Sequence, residues 1–159
     1  MNHTVIDVLI YIFEHYAEDD VEIFDDHERL RGHLREAGFE SSTVRRALDW
    51  LHELTATQSH ALETTAERPT SHRCYSAEEQ LRLDAACRGF MHYLESTGVL
   101  EFSTRELIID RVMALDVKSL DVERLKWIVL MVLFNLPGYE NAYFSMEDLV
   151  NEGVYDVLH

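Results

Sequence analysis

Histidine, cysteine and carboxylate are the side chains that bind metals and move protons, and this chain has many of them. Nine histidines stand at positions 3, 15, 27, 33, 52, 60, 72, 92 and 159, and no two are three or four residues apart. Neither HExxH nor CxxC occurs, so the tight pairs that zinc sites use are missing. The nearest grouping is His72, Cys74, Cys87 and His92, whose spacing matches no ligand pattern. Cys87 falls inside a helical stretch and reads as a small core residue. No GxGxxG, no phosphate-binding GxxxxGK[ST] loop and no GxSxG elbow is present. With no catalytic constellation, the sequence predicts a non-enzyme that needs no metal and no cofactor.

Two other groups of residues point to binding. Arg29, Arg31, Arg35, Arg45 and Arg46 cluster in two helical stretches that resemble a helix-turn-helix pair. Arg31, Arg35, Arg45 and Arg46 are therefore candidate nucleic-acid contacts. Asp49 and Glu53 oppose that reading, because they occupy the outward face where a recognition helix would want no carboxylates. The turn "AGF" followed by "VRRAL" also resembles the small three-helix folds of ubiquitin-associated type, which bind proteins. The second group is the turn "NLPGYENAY" at 135–143. Pro137 cannot continue a helix, and Pro137–Gly138 suits the centre of a type II turn. Asn141 is placed to cap the helix that follows. Pro137, Gly138, Tyr139, Glu140, Asn141 and Tyr143 make a candidate partner surface, with two phenol rings and a carboxylate on a loop braced by a rigid helix.

The elements that must position these groups follow from apolar periodicity, which is helical throughout. Helices are expected over 4–17, with Val5, Val8, Leu9, Ile12 and Tyr16 on one stripe, and from Asp25 with Glu28 to Ala37. A third is expected from 42 to 55 with Val44, Leu48, Trp50 and Leu51 inward. Gly38 stops the second, and Phe39 tucks back as an apolar anchor. A stretch around Pro69 without period reads as a linker. Ser76 with Glu79 opens a long fourth helix to Thr97, Ser103 with Glu106 a fifth to Leu115, and Asp121 a sixth to Phe134. A seventh covers 141–151. The fold class is all-α with about seven helices: an N-terminal three-helix unit (1–57), a linker (58–75) and a C-terminal bundle (76–159).

The sixth helix is the centre of that bundle. Trp127 to Phe134 is apolar in every direction of the helical wheel, the pattern of a helix buried on all sides. Gly89 in the fourth helix is expected to let this central helix approach the bare backbone. Asp84 and Arg88 are spaced to pair across one helical turn. The echo between "HLREAGF" at 33–39 and "YLESTGV" at 93–99 reads as convergent helix stops.

Thirty acidic residues against 14 basic ones give a formal net charge of −16. That field disfavours direct nucleic-acid binding and anionic lipid, and favours a partner protein with a basic surface. From Asn135 onward there are five acids and no Lys or Arg, so this end is the most one-sided. The eight-residue apolar run is far short of the roughly 20 that span a bilayer. Two cysteines make no disulfide framework, and no basic stretch leads into an apolar run at the start. A cytoplasmic protein without membrane contact is expected.

"YSAEEQLRLDAACRGF" (75–90), "TRELIIDRVMALD" (104–116) and "LKWIVLMVLFNLPGYENAY" (125–143) closely resemble the bacterial Smg family. "IDVLIYIFEHY" (6–16) and "AGFESSTVRRALDWL" (37–51) resemble it as well, so the likeness covers nearly the whole chain. The resemblance implies a cytoplasmic, mainly helical protein and assigns no reaction. Genes of the family often lie near those for DNA processing and a topoisomerase. That association raises an alternative, an accessory factor in DNA processing that uses the N-terminal arginines.

Overall fold

The computed structural model describes residues 4–16, 27–63, 74–115, 117–136, 138 and 140–156. Among them every regular element is a helix: α1 (Val5–Tyr16), α2 (His27–Glu36), α3 (Ser41–Glu63), α4 (Ala77–Arg82), α5 (Ala85–Ser96), α6 (Phe102–Met113), α7 (Val122–Phe134) and α8 (Glu140–Asp156). The chain is all-α, as the periodicity requires. Two compact units divide within α3, Met1–Glu53 and Leu54–His159.

In the first unit the helical stripes are the core. Val5, Ile6, Val8, Leu9, Ile12 and Phe13 of α1 are buried, with Leu30 and Leu34 of α2 and Val44, Ala47, Leu48 and Trp50 of α3. The α2 stop is built as expected. Gly38 has φ +102°, its N–H donates to the Arg35 carbonyl at 3.0 Å, and the Phe39 N–H donates to the Leu34 carbonyl at 3.2 Å. Only a glycine holds that backbone without strain. Phe39 then meets the Tyr11 ring edge-on at 5.1 Å, the predicted re-entry anchor. Gly98 repeats the device after α5, with Gly98 to Glu95 at 3.2 Å and Val99 to Leu94 at 2.9 Å. The sequence echo is one capping motif used twice.

In the second unit α7 is central, with α5, α6 and α8 packed against it. Asp121 caps it by accepting the Arg124 N–H at 2.8 Å, and Leu125 with Ile128 to Leu133 are buried. The expectation of burial on all sides fails at both ends of the run. Trp127 is half-buried and Phe134 is 39% exposed; seven residues apart, they share one face of α7, which is left partly uncovered.

Several boundaries differ from the sequence reading, each for a local reason. The expected fourth helix is two helices. Ser76 and Glu79 form the predicted capping box, but α4 ends after six residues at Leu83. Leu83 takes extended backbone to bridge Leu120, whose N–H donates to the Arg82 carbonyl at 2.9 Å. Asp84 then restarts the chain as the N-cap of α5. The total is therefore eight helices among the described residues. The Ser103–Glu106 box is not used; α6 is capped two residues earlier, at Glu101, whose N–H donates to Thr104 Oγ1 at 2.8 Å. The third helix passes Thr55 and continues to Glu63, into the stretch read as linker, since "ATQSHALE" holds neither glycine nor proline. Asn141 is not the cap of the last helix, which starts at Glu140. Asp25, Pro69, His72 and the side chain of Tyr16 lie outside the described residues.

Candidate functional site

The α7–α8 turn is a groove with an aromatic wall. Leu133, Phe134, Asn135, Leu136, Glu140, Tyr143 and Phe144 line a cavity of about 440 Å³, within the roughly 300–1,000 Å³ of ligand clefts. Leu133 and Leu136 form a buried floor. Tyr143 is sandwiched by rings, 5.5 Å from Phe134 and 5.7 Å from Phe144, the latter edge-on. Phe144 is 61% exposed. The turn itself is held by main-chain groups: Asn135 Nδ2 donates to the Met131 carbonyl at 2.7 Å, and Leu136 N–H to the Leu133 carbonyl at 3.2 Å. Gly138 has φ +89°, the value a type II turn needs at its third residue, and its N–H donates to Glu140 Oε1 at 3.4 Å.

Of the predicted surface, Glu140 and Tyr143 line this groove and Gly138 lies at its edge. Asn141 is exposed in the first turn of α8, where its carbonyl accepts from Ser145 Oγ at 3.1 Å. Pro137 and Tyr139 lie outside the described residues. Phe134 and Phe144 were not among the predicted site residues. A signal for Phe144 exists: Met146 is fully buried, and two residues along a helix turn the side chain by about 200°. Phe144 must therefore face outward.

A second groove lies between α2 and α3. Arg31, Arg35, Ser41, Ser42, Val44 and Arg45 line about 200 Å³. Three of the four arginines offered as nucleic-acid contacts thus meet; Arg46 is exposed on α3 and does not line this groove.

The residues around Cys87 are structural. The Asp84 carboxylate accepts the Cys87 N–H at 2.9 Å, and that bond holds its carboxyl below the usual range. Arg88 does not pair with that carboxylate; its Nε donates to the Asp84 carbonyl at 3.4 Å. Cys87 is buried and its thiol donates to the Leu120 carbonyl at 3.2 Å. Burial, then the Asp84 carboxylate, pushes its pKa up to about 12, so it is no nucleophile. Gly89 corrects its expectation outright. It is exposed, and a Cβ there would meet nothing within 4 Å, so no helix approaches it. Among the described residues no three His, Cys, Asp or Glu side chains gather as metal ligands.

Two buried charges escaped the sequence reading. Arg105 on α6 is 6% exposed and donates to Glu95 at 2.8 Å and Glu106 at 3.0 Å, with its guanidinium 4.9 Å from the Phe102 ring. Arg111 is equally buried and pairs with Asp110 at 3.1 Å.

The chain is an acidic, all-α protein, and no helix among the described residues is long and apolar enough to cross a membrane. The profile of a family described as "Protein of unknown function (DUF494)" matches residues 5–159. "Protein Smg" of Enterobacter sp. (strain 638) is 49% identical over 155 residues, covering 94% of this chain and 99% of that protein. "Protein Smg" of Yersinia pseudotuberculosis serotype O:1b (strain IP 31758) is 48% identical over 158 residues, covering 98% and 100%. No solved structure matches. The chain belongs to the Smg family, as its motifs led one to expect.

Proposed function

We propose that this is a non-enzymatic, cytoplasmic protein-binding protein, and that the α7–α8 groove takes a short apolar segment flanked by Lys or Arg on a partner protein. The observation that carries the reading is Phe144. A phenylalanine 61% exposed beside an open apolar groove leaves most of its ring in water, where a docked partner would cover it. A rigid aromatic that can be desolvated by a partner is the kind of residue that dominates binding energy. Charge selects the partner: Glu140 lines the groove, and from Asn135 onward the chain has five acids and no Lys or Arg. A basic flank would be drawn to that end and an acidic one repelled.

The test is affinity purification of the tagged chain from its host, with and without nuclease, with the captured proteins identified by mass spectrometry. Wild type is expected to retain a basic protein after nuclease, and Phe144→Ser and Tyr143→Ala to lose it while keeping native helicity. Retention of every partner by both variants would sink the proposal.

A further inference from the structure

We propose that the α2–α3 groove is a binding site for a phosphate group carried by a small ligand, held by Arg31, Arg35 and Arg45 with help from Ser41 and Ser42. The reasoning begins with what these side chains do not do. Among the described residues no ion pair or hydrogen bond engages the guanidinium of Arg31, Arg35 or Arg45, nor the hydroxyl of Ser41 or Ser42. The chain has more than twice as many acids as bases, 30 against 14, yet three arginines converge on one cavity without a carboxylate among its lining residues. Arg31 and Arg35 are four apart on α2, a spacing at which like charges repel. Three guanidinium groups gathered at one cavity with no ion pair of their own among the described residues are explained by an anion that joins them.

The donor set selects the anion. Three guanidinium forks and two hydroxyls offer far more N–H and O–H donors than a carboxylate has lone pairs. A phosphate, with near-double charge and three or more acceptor oxygens, matches them in charge and number. Ser41 and Ser42 stand in the first turn of α3, just after the exposed Glu40, and both are exposed. The size of the groove, about 200 Å³, suits one such group rather than a polymer. The surroundings agree. Glu36, Glu40, Asp49 and Glu53 are all exposed on the same two helices and the turn between them. A duplex laid across this face would bring its phosphates against those carboxylates, whereas none of them lines the groove that a single phosphate would enter.

Calorimetric titration of the full chain with inorganic phosphate, pyrophosphate, acetate and a short duplex DNA, at matched ionic strength, tests the assignment. Saturable one-to-one binding of phosphate or pyrophosphate is expected at up to millimolar concentrations, with acetate much weaker. Arg31→Gln, Arg35→Gln and Arg45→Gln should each weaken it about tenfold, the scale of a charge-assisted hydrogen bond. Arg88→Gln, outside the groove, should leave it unchanged. Since the three arginines are exposed, the variants are expected to keep wild-type circular dichroism. Free phosphate binding as tightly as pyrophosphate would identify the ion alone as sufficient; tighter pyrophosphate would place further ligand contacts beyond the first group, and both agree with the site. No saturable heat, equal loss in Arg88→Gln, or acetate matching phosphate would overturn it. Duplex binding that displaces phosphate and weakens steeply with salt would overturn it in favour of a nucleic-acid surface.

Discussion

Arg105 on α6 and Arg35 on α2 are the same residue type in opposite circumstances. Arg105 is buried, and two carboxylates and an aromatic ring take up its charge. Arg35 is exposed, shares a cavity with two more arginines, and has no partner among the described residues. The contrast separates two uses of charge. A buried guanidinium cannot be tolerated without partners, so its partners describe the fold. An unpaired exposed one is not required by the fold, so its neighbours describe a ligand. The largest expected effect follows from the first half. Arg105→Ala should destabilise the protein by about 3 kcal/mol, because it strips the joint between the end of α5 and the start of α6. Arg105→Met, which keeps most of the volume, should cost about half as much. Urea denaturation measures both, and equal losses would mean that charge rather than packing is what Arg105 supplies.

The two cysteines sharpen the same contrast between buried and exposed groups. Cys74 is exposed and Cys87 buried. In native protein at pH 8 a thiol reagent should label one cysteine, and in denaturant both. Cys87 also makes stability depend on pH, with a sign that can be worked out. Its folded pKa, about 12, lies above the ordinary 9.0, so the native thiol stays protonated where an unfolded one ionises. That contribution is complete below pH 9 and is lost as pH rises from there toward 12. Cys87→Ala should flatten this part of the stability curve, as thermal melts across that range would record.

What could be read from the sequence was whatever local chemistry decides. The capping box at Ser76, the caps at Asp121 and Gly38, the anchor at Phe39 and the core run from Ile128 to Leu133 all depend on residues within a few positions of each other. What escaped depends on groups far apart in the chain. Leu83 is a good helix residue, and its bridge to Leu120, whose N–H goes to the Arg82 carbonyl and whose carbonyl accepts the Cys87 thiol, breaks the helix there. Gly89 was read as a contact because glycine inside a helix is costly, yet the space around it is open. Arg105 looks like any surface arginine until Glu95, ten residues away, is seen to reach it. The site was half legible for a similar reason. Tyr143 and Glu140 stood out by type and place, whereas Phe144 needed knowledge of which face Met146 turns inward. The arginines were visible as a cluster, but the cavity that gathers three of them was not.

The open glycines allow a smaller test, one in each unit. Gly32 in α2 and Gly89 in α5 are helical, exposed and free of any neighbour within 4 Å of a Cβ. Alanine at either should stabilise by about 0.4–1 kcal/mol, by restricting the unfolded chain. The measurement is the urea midpoint at constant slope. A gain at Gly32 with a loss at Gly89 would restore the close approach that the structure denies to α5.

The smallest expected effect bears most directly on the opening contrast. Arg35→Gln should leave stability unchanged or raise it by about 0.2–0.5 kcal/mol, since it relieves the repulsion with Arg31 one turn away. The gain must shrink as salt is added, because exposed charges are screened. Chemical denaturation in urea at low and high salt reads both numbers. The sign decides the matter. An arginine whose removal costs more than about 1 kcal/mol is part of the structure and belongs with Arg105. One whose removal is harmless or helpful occupies its place at the expense of the fold, which is what a residue kept for a ligand does.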